Sequence, residues 1–153
     1  MKALYFAYGL CLEEHTMVDY HPSARFHLFA TLRGFKLIFS GDGVCSIDKG
    51  SFNDIVEGVL YTVDHQELSE PREGSSLSIL DIMGHDGNYV SAHVYYTNRK
   101  DLVAPTQDYL MRVHKKYQDY GFNMTPLENA LDKSNYQDTE QEEDTVCGSL
   151  LSL

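Results

Sequence analysis

The chain has 153 residues, 42% of them hydrophobic, which suits one domain with a real core and argues against global disorder. Its 12 Lys and Arg against 23 Asp and Glu leave a formal charge of −11, a field whose sign argues against nucleic acid and anionic membranes as partners. No apolar run approaches the roughly 20 residues of a membrane span, and the first residues lack the pattern of a signal peptide. Cys11, Cys45 and Cys147 show no metal-ligand spacing and leave one thiol unpaired in any disulfide scheme, so reduced thiols and a cytoplasmic location are expected.

Residues 2–8 read as a strand that breaks at Gly9, a residue free to take backbone angles closed to others. Residues 12–18 hold a short helical pattern. His21-Pro22-Ser23-Ala24 is a turn, because Pro22 removes a donor and keeps its predecessor extended. Two strand-like runs follow, 25–32 and 35–40, joined by a break at Arg33-Gly34. Gly41-Asp42-Gly43 turns the chain into a short strand at 44–47. The run IVEGVLYTV at 55–63 is β-branched, aromatic and nearly uninterrupted, as expected for a strand covered on both faces.

A short helix is predicted over 64–70, with Asp64 as N-cap and Glu67 completing a capping box. Strands at 77–83 and 89–96 flank Gly84-His85-Asp86-Gly87, a composition that favours a hairpin. After Pro105 the pattern becomes helical: Tyr109, Leu110, Val113 and Tyr117 form one apolar stripe, and Gly121 closes it as a C-cap. Residues 126–132 add a further helical turn or two. From 133 to 153 the chain is acidic and polar before a small apolar end, and a mobile or loosely docked tail is expected after a domain of 1–132. Strands first and helices last imply an α+β fold, a small mixed β-barrel-like sheet with flanking helices.

Several segments, in this order, resemble the γ-glutamylcyclotransferase family, which shares its fold with the AIG2-like proteins. YFAYGLCL is similar to the YFAYGSNL loop that opens the family. HPSARF followed by LRGFKLIF looks like its next block, and GVCSI and VEGVLY look like the strands that carry its central sheet. Glu70-Pro71-Arg72-Glu73-Gly74 sits where the family has an LDxxEG-like motif. PTQDYL, with Gly121-Phe122 and Leu127 beyond it, is similar to the terminal PSPxY helix and its GLPxxY continuation. The likeness runs collinearly from residue 4 to about residue 131.

The resemblance implies release of 5-oxoproline from a γ-glutamyl compound, with a small-molecule partner, no cofactor and no metal, and it leaves room for a homodimer. In that reaction the substrate's own α-amine attacks its γ-carbonyl, so holding the chain folded supplies much of the rate. A base must first deprotonate the amine and an acid must protonate the leaving group, and one carboxylate can serve both steps. Glu73, next to Gly74 in a loop before a strand, is the candidate. Glu70 reads as a surface acid. Tyr8, Gly9 and the amides of Leu10, Cys11 and Leu12 form the candidate cradle for the substrate carboxylate. Tyr109 is placed by the resemblance to offer its hydroxyl to the substrate.

Two family positions differ in the opening loop, where serine and asparagine become Leu10 and Cys11, and Leu80 stands near a position where the family often has tyrosine. These changes make the pocket less polar and give a second reading, a non-catalytic binding or regulatory module that keeps the cavity. A third places Cys11 and His15 on one helical face as thiol and base. The histidines are scattered without ligand spacing.

Overall fold

The computed structural model describes residues 1–68, 71 and 73–136. Through them run β1 (Lys2–Ala7), a 3₁₀ turn (Gly9–Leu12), α1 (Glu14–Tyr20), β2 (Arg25–Arg33), β3 (Phe35–Ser40), β4 (Val44–Lys49) and β5 (Ile55–Asp64). A second 3₁₀ turn (His65–Glu67), β6 (Ser75–Gly84), β7 (Tyr89–Thr97), α2 (Gln107–Tyr120) and α3 (Thr125–Lys133) follow.

β5 is the strand around which the sheet is arranged. Its apolar run is buried along most of its length because β1 and β2 pair antiparallel with its two edges. β2 continues antiparallel to β6, and β6 to β7. β7 then meets β1 in parallel at Tyr5 and His93, closing a barrel in the order β1-β5-β2-β6-β7. This is the mixed, barrel-like α+β architecture that the order of elements implies.

Two expectations are corrected. GVCSI does not belong to the central sheet: β4 pairs only with β3, in a separate two-stranded ribbon. Both edges of β2 are taken, by β5 and β6, so β3 finds no free edge there when it follows the turn at Gly34. Nor is there a capped helix over 64–68, the described part of the predicted 64–70 helix. Asp64 ends β5 with its carboxylate 2.7 Å from Lys2 Nζ, and its side chain caps nothing. Glu67 instead accepts from the Ser23 amide at 3.2 Å and the Ser23 hydroxyl at 2.7 Å, which leaves only a 3₁₀ turn. Ser69 and Glu70 lie outside the described residues.

α2 is bounded as its sequence suggests. Thr106 Oγ1 accepts the Tyr109 amide at 3.2 Å, and Gly121 takes the left-handed conformation at φ 71°. Its apolar stripe, with Leu110, Val113 and Tyr117 buried, joins Phe6, Leu60, Ile82 and Val94 of the barrel and Leu127 and Leu131 of α3 in one core. Lys133 closes α3 and Ser134 is buried behind it. The acidic tail expected beyond them lies outside the described residues from 137 onward. Among the described residues no helix is long and apolar enough to cross a membrane.

Candidate active site

β1 delivers Tyr8 in an extended conformation, and the chain then turns sharply into Gly9–Leu12. Gly9 has φ +62°, and a Cβ placed on it would lie 2.6 Å from Cys45 Cβ, 3.2 Å from Cys45 Sγ and 3.6 Å from the Tyr109 hydroxyl. Only glycine satisfies both the left-handed angle and the close approach. Leu12 anchors the far end of the turn in the core at 0% exposure. Within the turn the Cys11 amide donates to Tyr8 O at 3.3 Å and the Glu13 amide to Leu10 O at 3.0 Å. The leading amides of such a turn have no acceptor of their own and present N–H groups outward.

α2 fastens this loop from behind. The Tyr109 hydroxyl accepts the Cys45 N–H at 2.9 Å, and its ring lies edge-on to Phe39 at 6.5 Å. Burial pushes the Tyr109 phenol well above its usual range and the Cys45 thiol up to about 12, so both are neutral. One turn along α2, Arg112 Nε donates to Glu13 Oε2 at 3.0 Å while its Nη2 reaches Oε1. The Thr16 hydroxyl donates to the same carboxylate at 2.8 Å, and His15 Nε2 stands 3.3 Å from it. The Tyr120 hydroxyl donates to Leu12 O at 3.1 Å. Two side chains of this helix therefore hold the C-terminal end of the opening turn, at Leu12 and Glu13, and a third holds Cys45 of β4 against Gly9.

Arg112 holds the Glu13 carboxyl below the usual carboxylate range. A depressed folded-state pKa contributes stability above the unfolded value, about 4.3, that is lost as pH falls through the folded one. Glu13→Gln is expected to cost about 2 kcal/mol at neutral pH, the scale of hydrogen bonds to a charged group, read as a melting point lower by roughly 4–8 °C. The gap to wild type closes toward pH 3. An undiminished gap there contradicts the assignment.

At the other side of the turn the Tyr8 hydroxyl donates to Tyr95 O at 2.7 Å and lies near Ser46. Burial drives its phenol upward as well. The Ser46 hydroxyl accepts the Thr97 amide at 3.0 Å. Thr97 Oγ1 in turn donates to Gly74 O at 3.2 Å, and the Asn98 amide donates to the same oxygen at 2.7 Å. The end of β7 thus ties the Glu73–Gly74 turn to the strand that flanks Tyr8. Glu73 itself is exposed at that turn. Its neighbours Glu70 and Arg72 lie outside the described residues.

Tyr8, Gly9, Leu10, Cys11, Leu12 and Tyr109 accordingly lie together, whereas Glu73 is exposed in a separate turn whose Gly74 carbonyl accepts from Thr97. The Cys11–His15 pair does not assemble. Cys11 sits in the 3₁₀ turn against the Tyr5 hydroxyl with its thiol pushed up to about 11, whereas His15 is on α1 facing Glu13. Sequence reasoning missed Cys45, Ser46, Thr97, Glu13 and Arg112. Only Glu13, an acid directly after the turn, carried any local signal.

A closed five-stranded barrel with a strand-end glycine turn, an outlying ribbon and flanking helices defines the γ-glutamylcyclotransferase-like fold. Among solved structures it is shared with a gamma-glutamyl cyclotransferase, at TM-score 0.72 and 22% identity over 90% of this chain and 89% of that one. An uncharacterized human protein superposes at TM-score 0.70 and 23% identity, covering 90% and 88% of the two chains. YkqA from Bacillus subtilis follows at 0.64 and 20%, covering 88% of this chain and 54% of its own. No protein-family model matches the chain, and no curated protein matches it in sequence.

Proposed function

We propose that the chain is a γ-glutamylcyclotransferase-like enzyme that releases 5-oxoproline from a γ-glutamyl compound. The observation that supports this reading is the pair of Thr97 contacts, its amide donating to Ser46 Oγ and its hydroxyl to Gly74 O, which set the Glu73–Gly74 turn against β4, the strand packed on Gly9. The substrate carboxylate rests against the leading amides of the opening loop, at Gly9 and Leu10, because that of Cys11 already donates to Tyr8 O. Glu73 takes a proton from the α-ammonium, and the freed amine attacks the γ-carbonyl carbon to form a tetrahedral intermediate. The bond from that carbon to the departing nitrogen then breaks as Glu73 returns the proton to it, and the second proton of the ring nitrogen passes to the departing amine, which leaves as an ammonium. The reaction balances with no metal and no organic cofactor.

An acid as exposed as Glu73 must lose water when substrate covers it, so the closing of the site belongs to substrate binding. Leu10 and Cys11 bring no charged group to the loop, so recognition there falls to backbone donors. Tyr109 acts by holding Cys45 beneath Gly9. Tyr109→Phe leaves the buried Cys45 amide without its acceptor and is expected to cost about 1–3 kcal/mol in urea unfolding; an unchanged midpoint removes that role. Every residue given a part comes from one chain, and a cytoplasmic location belongs to the same proposal.

A second reading, a binding module without turnover, is favoured by one feature: the Tyr8 hydroxyl is already spent on Tyr95 and that of Tyr109 on Cys45. A screen of γ-glutamyl amino acids, γ-glutamyl amines and glutathione for 5-oxoproline separates the two. Binding without product from any of them establishes the module and ends the enzymatic reading.

A further inference from the structure

A groove of about 200 Å³ opens between the β3–β4 ribbon and the β6–β7 hairpin. Phe35, Ile47, Leu80 and Tyr96 give it apolar walls, and the Tyr96 hydroxyl is already bonded to that of Ser78 at 2.8 Å. An apolar space of about 150 Å³ holds a body the size of benzene, so the groove takes one or two side chains of leucine size. Its rim is cationic. Asp48 lies 3.0 Å from Lys100 Nζ and opposite Lys36 across the ribbon, and Lys100 and Lys36 hold its carboxyl below the usual range. Lys49, also at the groove, has no ion-pair partner among the described residues. Three lysines thus stand around one aspartate, in a chain of formal charge −11.

The chain itself carries a complementary segment. Asp138, Glu140, Glu142, Glu143 and Asp144 follow one another without a Lys or Arg, and Val146, Cys147, Leu150, Leu151 and Leu153 come directly after them. The approach to this segment is also well placed. α3, which leads to it, packs on β3, the strand that supplies Phe35 to the groove. Tyr136, the last described residue, donates its amide to Leu131 O at 3.3 Å and packs against the core. From there residues 137–145 span about 30 Å when extended, roughly twice the radius of gyration of a domain this size. A tether of that length keeps the segment at an effective concentration of order millimolar, so even a weak contact is occupied. We propose that residues 138–151 dock on their own chain, with Leu150 and Leu151 in the groove and the acidic run over Lys36, Lys49 and Lys100. This docking is independent of the reaction proposed above.

The test uses the full chain and a nitroxide on Cys147. Cys11 and Cys45 are partly buried, with thiols pushed up to about 11 and about 12, so a thiol-specific label at neutral pH goes to Cys147. In the isotope-labelled protein the nitroxide is expected to erase the amide signals of Ile47, Leu80 and Tyr96, and ascorbate to restore them. Leu150→Asp with Leu151→Asp lies beyond the last described residue, and Lys49→Glu is at an exposed position, so neither threatens the fold. Each should bring most of the lost signal back without ascorbate. A mixture of isotope-labelled chain without nitroxide and unlabelled chain with it should show no loss, which places the contact within one molecule. Intact groove signals in the wild type, losses that either variant keeps, or losses in the mixture each overturn the proposal.

Discussion

Glu73→Gln is expected to reduce 5-oxoproline release by about 10²–10⁴-fold, the usual contribution of a positioned general acid–base group. Glutamine keeps the shape and polarity of the side chain but cannot accept the α-ammonium proton or pass it to the leaving amine. Among the described residues nothing bonds to the carboxylate. Glu73 is exposed in a turn held by backbone contacts, with Gly74 O accepting from Thr97 and Asn98. Unfolding midpoints should therefore agree with wild type within about 0.5 kcal/mol, as for surface substitutions generally. Glu73→Asp retains the charge but draws it back by one methylene, and an intermediate rate is expected because proton transfer depends on reach. Product measured by chromatography beside a urea curve gives both quantities, and full turnover in the glutamine variant dismisses Glu73 as the base.

What was legible in the chain was local. β5 announced itself because a strand hydrogen-bonded on both edges in a closed barrel needs apolar residues on both faces. α2 carried its own boundaries in Thr106 and Gly121, whose effects act within a few residues. The opening loop was recognisable because a glycine directly after an aromatic strand implies a turn that other residues resist. What escaped was decided by distant partners. Glu67 fits a capping box on spacing alone, yet Ser23, 44 residues earlier, takes its carboxylate. The strand character of β3 and β4 was plain, but its exclusion from the barrel depended on β6 occupying the edge of β2. The Glu13–Arg112 pair spans 99 residues, and no spacing rule reaches that far.

The same contrast separates two kinds of anchoring around the loop. The ion pair to Glu13 is charged and titrates, so its contribution varies with pH. The contacts at Tyr109 and Tyr120 are neutral, and the phenol of Tyr109 stays protonated through any physiological range. Acid should loosen the start of α1 while Cys45 and Gly9 keep their places.

Gly9→Ala is the substitution expected to damage the loop most. An alanine at φ +62° carries the strain of a left-handed L-residue, about 1–2 kcal/mol. Its Cβ would also sit 2.6 Å from Cys45 Cβ, close to the strand backbone that Tyr109 holds, so nothing flexible can give way cheaply. Overpacking of that kind costs a further 1–3 kcal/mol or so, for a combined loss of about 2–5 kcal/mol. Gly74 is the matched control: its φ is +87°, but a Cβ there meets nothing within 4 Å. Gly74→Ala should show the strain alone, about 1–2 kcal/mol. The difference between the two urea midpoints measures how tightly the opening loop is pressed onto β4. In Gly9→Ala the loop must lift from Cys45 to relieve the contact, which turns its leading amides away from the substrate carboxylate. Turnover and ligand binding should fall together in that variant, whereas Glu73→Gln should spare binding. A Gly9→Ala protein with wild-type stability and binding would show that the loop neither presses on β4 nor grips the substrate.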